Sequence, residues 1–143
     1  MWVIVHTYVG IAIASLLHLP FWQVALIVLA SHVLLDLVPH WDYTASRERM
    51  LWGWVDFLGA LATVIALLVL GMPFALVVMG PISGAPDFDV AGSAMWGRES
   101  RHLFPSHWRR FPHGRCGPAL GIPLQLAILA VSAGVFLTVG LQR

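Results

Sequence analysis

Lysine is absent from this 143-residue chain, and cysteine occurs once, as Cys116. A lone cysteine excludes an internal disulfide and leaves no zinc-ribbon pattern. It lies between Arg115 and Gly117, and neither a Cys–His nor a Ser-His-Asp nucleophile pattern stands out. Low-complexity segments and nucleotide-binding glycine motifs are missing too. Charge is scarce, at 10% of residues against about 25% in soluble globular proteins. With 59% hydrophobic residues and a mean hydropathy of +0.81, that scarcity excludes an ordinary soluble domain. A basic segment ahead of the first apolar run is also lacking, so that run is expected to be a retained helix rather than a signal peptide.

What the chain does contain is a set of apolar runs separated by tight turns or short polar loops. The expected fold is all-α, a polytopic membrane protein in one domain with about five transmembrane helices, over residues 2–17, 21–38, 50–70, 74–86 and 119–141. The fourth is expected to be broken, because GPISGAPDFD at residues 80–89 carries two glycines and two prolines that a regular helix does not accommodate together. Residues 87–118 form the one long polar segment. In the first run His6, Gly10 and Ala14 recur every fourth residue, a small-residue face suited to close helix packing in lipid.

Tight turns at residues 18–20 and 71–73 assign each loop to a side. The loop 40–49 and the segment 87–118 fall on the same side as Met1. Of the 22 Arg, Asp, Glu and His residues, only His18 and Arg143 belong to the other side. All eight basic residues are Arg, and seven of them lie on the charged side, which the positive-inside rule makes cytoplasmic. Trp2, Trp41, Trp52, Trp54, Trp96 and Trp108 fall at that interface, as an aromatic belt does.

The chain is organised around SHVLLDLVPHWDY, residues 31–43. His32 and Asp36 stand four apart, hence on one helix face with Cβ atoms about 5–6 Å apart, within reach of a single divalent ion. The bland alternative is a hydrogen-bonded pair bracing two helix ends. Ionisable residues inside a membrane are costly and each calls for a partner. On that ground His6, Asp56, Asp87, His107 and His113 join His32 and Asp36 as candidate metal ligands, with His102 a further possible donor. For His6 the alternative is a backbone-bonded imidazole, for Asp56 a carboxylate orienting a histidine or a structural role, and for Asp87 and Asp89 helix-capping or turn positions. His40 and Asp42 read equally as solvated loop residues.

The segment RESRHLFPSHWRRFPHGR, residues 98–115, mixes five Arg with three His, two Phe and one Trp. It fits a surface-lying lid on anionic lipid, a source of late metal ligands, or a nucleic-acid contact; beside a metal site, a phosphate-bearing substrate is preferred and nucleic acid set aside. Arg109 and Arg110 would stabilise the charge of such a substrate. A carboxylate such as Asp42 or Asp89 would serve as general base. Histidine and carboxylate ligands without thiolate suit zinc first, with manganese or iron as alternatives. An open coordination position on such an ion lowers the pKa of bound water towards about 7.

His6 with Gly10, followed by SHVLLDLVPHWDY, resembles the small bacterial family described as membrane-bound metal-dependent hydrolases. PDFD at residues 86–89 and FPSHWRRFPH at residues 104–113 are similar to short patches of that family's second half. The H-x-x-x-D element of His32 and Asp36 is more distantly similar to one that supplies metal ligands in zinc-dependent phospholipases C. His102, His107 and His113 depart from the closely spaced pair such relatives carry. The resemblance implies a metal-dependent hydrolase in the bacterial inner membrane, its site facing the cytoplasm, acting on a phosphoester or lipid-like substrate. The alternative is a metal-stabilised membrane scaffold, or a small transport or assembly protein. A transporter would need polar residues continuing to the far side, where the spans are almost wholly apolar.

Overall fold

The computed structural model describes residues 1–96, 103–108 and 111–142. The chain is all-α, with seven α-helices among the described residues: α1 Val3–Leu16, α2 Phe21–Leu37, α3 Arg49–Val69, α4 Phe74–Val77, α5 Met79–Gly84, α6 Phe88–Met95 and α7 Pro118–Val139. Two-residue strands, β1 His40–Trp41 and β2 Arg115–Cys116, pair in parallel with His40 opposite Arg115.

Three helical stretches are long and apolar enough to cross a membrane: Arg49–Val69, Phe74–Met95 and Pro118–Gln142. The first two helices are apolar but shorter, with 14 and 17 residues. At 1.5 Å per residue these reach about 21 and 26 Å, against a hydrocarbon core of about 30 Å.

The fourth stretch differs from its expected form. It does not end at residue 86 but continues to Met95, through a 3-10 turn over Ala85–Asp87. Pro86 lies in the first turn of that 3-10 segment, and Pro81 is the third residue of α5. In a first turn the missing N–H breaks no intrahelical bond. The prolines therefore divide the stretch into short helices without unwinding it, and polar chain begins later than expected.

The bundle is built around α1, which packs against α2, α3, α4, α5 and α7. Its small-residue face does what the four-residue spacing predicts. A Cβ on Gly10 would lie 2.5 Å from the Met79 carbonyl oxygen and 2.7 Å from Ser83 Cβ, so only glycine lets α1 and α5 approach this closely. One half of the bundle is closed by an apolar cluster including Ile11, Val24, Val28, Leu67, Leu76, Met79 and Phe136.

Polarity runs inside out. His6, His32, Asp36, His40, Ser83 and Gln125 are fully buried, while Leu34, Leu51, Val55, Ile65, Val69, Phe74, Val131 and Leu137 are exposed. Only 22% of the residues in the most apolar windows of α3 and α7 are buried. In water such a surface would be expensive, at about 25 cal/mol per Å² of apolar area.

At the polar end, the start of α1, the end of α2, the start of α3 and the start of α7 come together. Trp2, Trp41 and Trp52 interlock there, with ring centroids 5.4–6.3 Å apart. Gln125 ties α7 into this end: its Oε1 accepts from the Trp2 N–H at 2.9 Å, and its Nε2 donates to the Trp41 carbonyl at 3.2 Å. A single glutamine in an apolar run was the available signal for this clamp, and sequence reasoning passed over it.

Candidate metal centre

His6 from α1, His32 and Asp36 from α2, and Asp87 from the 3-10 turn bring one ligand atom each to within 4.8 Å of the others, all four residues being buried. His32 Nε2 lies 3.2 Å from Asp36 Oδ2 and 3.8 Å from Asp87 Oδ1. His6 Nε2 lies 3.2 Å from Asp87 Oδ2 and 3.6 Å from Asp36 Oδ1. The His6 and His32 rings stack with centroids 4.0 Å apart. His107, from the short 3-10 segment Pro105–His107, adds Nε2 at 2.9 Å from Asp87 Oδ1 and 3.6 Å from Asp36 Oδ2.

These separations suit ion pairs, yet the angles do not suit hydrogen bonds. His6 Nε2, His32 Nε2, His107 Nε2, Asp36 Oδ2 and Asp87 Oδ2 are all buried with no hydrogen-bond partner among the described residues. Buried polar atoms are rarely left so, because each forfeits about 1–3 kcal/mol. The ligand atoms of His6, His32, Asp36 and Asp87 gather within 4.8 Å of one another, while His107 lies outside that group but beside both carboxylates. The Met1 ammonium already donates to Asp36 Oδ1 at 3.0 Å, and a further cation among these residues would give the unpartnered atoms a common partner. Two carboxylates and two or three imidazoles, with no thiolate, fit a divalent ion of the zinc, manganese or iron kind.

The surroundings prepare the histidines for this task. The Ser83 carbonyl lies 2.9 Å from His32 Nδ1, and a carbonyl only accepts, so Nδ1 carries the proton and Nε2 presents its lone pair to the cluster. Behind His107, Asp89 places Oδ1 3.4 Å from Nδ1, while its Oδ2 accepts from the Leu103 N–H at 2.6 Å. Burial works to lower the His107 pKa, but the facing carboxylates of Asp36 and Asp87 outweigh it and hold the value at about 10. A carboxylate pair this close draws a positive charge to itself.

Other expected roles are redistributed. Asp56 stands apart from the cluster. Its oxygens accept from the Val3 N–H at 2.8 Å, the Ile4 N–H at 2.9 Å and the Tyr43 hydroxyl at 3.1 Å, so it caps α1 from a neighbouring helix instead of binding metal. Burial and the nearby Asp56 raise the Tyr43 pKa, keeping the phenol a donor. Asp42 is likewise committed. Thr44 N–H donates to its Oδ1 at 2.9 Å and Arg115 Nε lies 3.0 Å from its Oδ2. Burial alone would raise its pKa, but the Thr44 hydrogen bonds and Arg115 bring it below the usual carboxylate value. So held, Asp42 is a poor general base, and Asp89 stands behind His107 on the side away from Asp36 and Asp87. His102, Arg109 and Arg110, expected as a metal donor and as charge-stabilising groups, lie outside the described residues.

His40, which read equally as a solvated loop residue, is fully buried. Its Nδ1 donates to the Val38 carbonyl at 2.8 Å, and its Nε2 meets His113 Nε2 at 3.1 Å. Burial pushes its pKa down to about 4, leaving the ring neutral. A small, partly enclosed pocket borders the cluster, lined by Trp41, Asp42, Asp87, His107, His113 and Arg115 among others. Comparison with models of protein families, with curated proteins and with solved structures returned no match in any of the three.

Proposed function

We propose that this chain is an integral-membrane, metal-dependent hydrolase of a phosphoester or lipid-like substrate, with His6, His32, Asp36, Asp87 and His107 holding the ion. The observation that carries the reading is the convergence of buried, unpartnered ligand atoms beside a small pocket lined by Asp87 and His107. The inside-out polarity and the three long apolar helices support insertion in a bilayer. The excess of Arg at the polar end supports a cytoplasm-facing site in an inner membrane. The resemblance of residues 1–43 to membrane-bound metal-dependent hydrolases points the same way.

A bound divalent ion supplies Lewis acidity, polarising a phosphoryl or carbonyl oxygen and lowering the pKa of water. The protein's own groups do the rest. The Ser83 carbonyl fixes the ring orientation of His32, and Asp89 Oδ1 lies 3.4 Å from His107 Nδ1. Arg115, whose guanidinium is more than half exposed at the pocket, offers charge to an anionic headgroup without leaving Asp42. Arg109 and Arg110 are proposed for the same service. The exposed apolar flanks would keep acyl chains in lipid while the headgroup enters from the polar end.

The test is hydrolysis of phospholipid and of a soluble aryl phosphate by detergent-purified protein, before and after chelation, beside His32→Ala and Asp87→Asn. Turnover that chelation abolishes, zinc or manganese restores and both variants lose by at least about 100-fold is the expected result. Metal bound tightly by a folded protein that hydrolyses neither substrate would instead favour a metal-stabilised scaffold, in which the ion ties α1, α2 and the Ala85–Asp87 turn together.

A further inference from the structure

We infer that the centre is binuclear: a second divalent ion is held by Asp36, His40 and His113, with the Asp36 carboxylate shared between the two ions. This rests on the metal-centre reading above and extends it to a group of residues that reading does not use. The ligand atoms of Asp36, His40 and His113 lie within 4.8 Å of one another, and Asp36 also belongs to the first group.

The chemistry of the pair is that of two ligands. Since His40 Nδ1 gives its proton to Val38, its Nε2 is a bare lone pair, and that lone pair faces His113 Nε2 at 3.1 Å. Two nitrogens each about 2.0–2.1 Å from a tetrahedral zinc ion stand about 3.3 Å apart. Asp36 is fully buried; its Oδ1 accepts from the Met1 ammonium at 3.0 Å, and its Oδ2 has no hydrogen-bond partner among the described residues. His107 faces both carboxylates from beside His113, their ring centroids being 6.1 Å apart, so the two groups are contiguous.

The backbone holds this second group in place. Gly114 N–H donates to the Asp36 carbonyl at 2.7 Å, and the His40 N–H donates to the Gly114 carbonyl at 2.7 Å. A side chain at position 114 would run into the Val38 and Leu37 carbonyls, so the segment carrying His113 is seated on the end of α2 through a glycine. A structural N–H···N bond between His40 and His113 would need the 3.1 Å contact but not the proximity of both to Asp36.

The experiment is metal counting on full-length protein in detergent, dialysed against zinc and separately against manganese. Wild type, His113→Ala, His113→Gln, His40→Ala and His32→Ala are compared, each shown folded by gel filtration and circular dichroism. Two equivalents per chain in wild type, falling to one in the His113 and His40 variants, is the expected result. The manganese form should then give the exchange-coupled paramagnetic resonance signal of two ions sharing a carboxylate, replaced by an uncoupled signal in His113→Gln. One equivalent in wild type, unchanged in the His113 variants but lost in His32→Ala, would overturn the second position and leave the first standing. Two equivalents that survive both His113 and His40 substitution would overturn it too. No metal in wild type would remove both readings together.

Discussion

At the scale of single residues, protons and the proposed metal ion would contend for the same lone pairs. His107, with its pKa held at about 10 by Asp36 and Asp87, carries a proton in chelator-treated protein at neutral pH. A metal ion that takes its Nε2 must displace that proton. Affinity should therefore rise with pH, by about tenfold per unit between pH 6 and 8 for each proton released. Competition against a chelator of known affinity measures the slope. His107→Gln should flatten it by one proton, and an unaltered slope would remove His107 from the ligand set. The residues legible from sequence were those whose partners are local or whose burial is obligatory. His32 and Asp36 share a helix face, His6 faces them from a glycine-bearing helix, and Asp87 sits in the proline-marked turn. His40 was not legible in that way, because its burial depends on a strand pairing with residues more than seventy positions away.

Among the elements, α1 shows how a short helix is secured. Its N-cap residue, Trp2, supplies no side-chain hydrogen bond, and the first free N–H groups are taken by Asp56 of α3. Replacing Asp56 with Ala should destabilise the protein by about 2–3 kcal/mol, since two buried donors lose a charged acceptor. Reversible unfolding in mixed detergent micelles would show it, and zinc stoichiometry should be unchanged in the fraction that remains folded. A loss of metal without loss of stability would return Asp56 to the ligands. Sequence alone separates these roles poorly, because a capping carboxylate on another helix leaves no spacing signature. The helices themselves were readable from their apolar runs. The end of the fourth stretch was not, because whether a proline breaks a helix depends on where the turn begins, and here Pro86 falls in the first turn of its 3-10 segment.

For the whole molecule, the gathering of charge at one end makes orientation a measurable property. Cys116 is the one thiol in the chain, and it lies in the strand beside His40. In a cell membrane with the site facing the cytoplasm, a membrane-impermeant maleimide should label it in inverted vesicles and not in intact spheroplasts. A cysteine at position 18, in a Cys116→Ser background, should show the reverse. Labelling of Cys116 from outside would turn the protein over and move the site to the other compartment.

The central place of α1 also has a consequence in time. It is made before α5 and α7, which complete its faces, and the Trp2 N–H waits for Gln125, 123 residues later. Partners that far apart in sequence are slow to meet. Until the last helix arrives, His6 and the head of α1 have no finished surroundings, so nascent chains stalled before residue 118 should be prime targets for membrane quality control. Helix α1 is thus synthesised well before the partners that finish its surroundings.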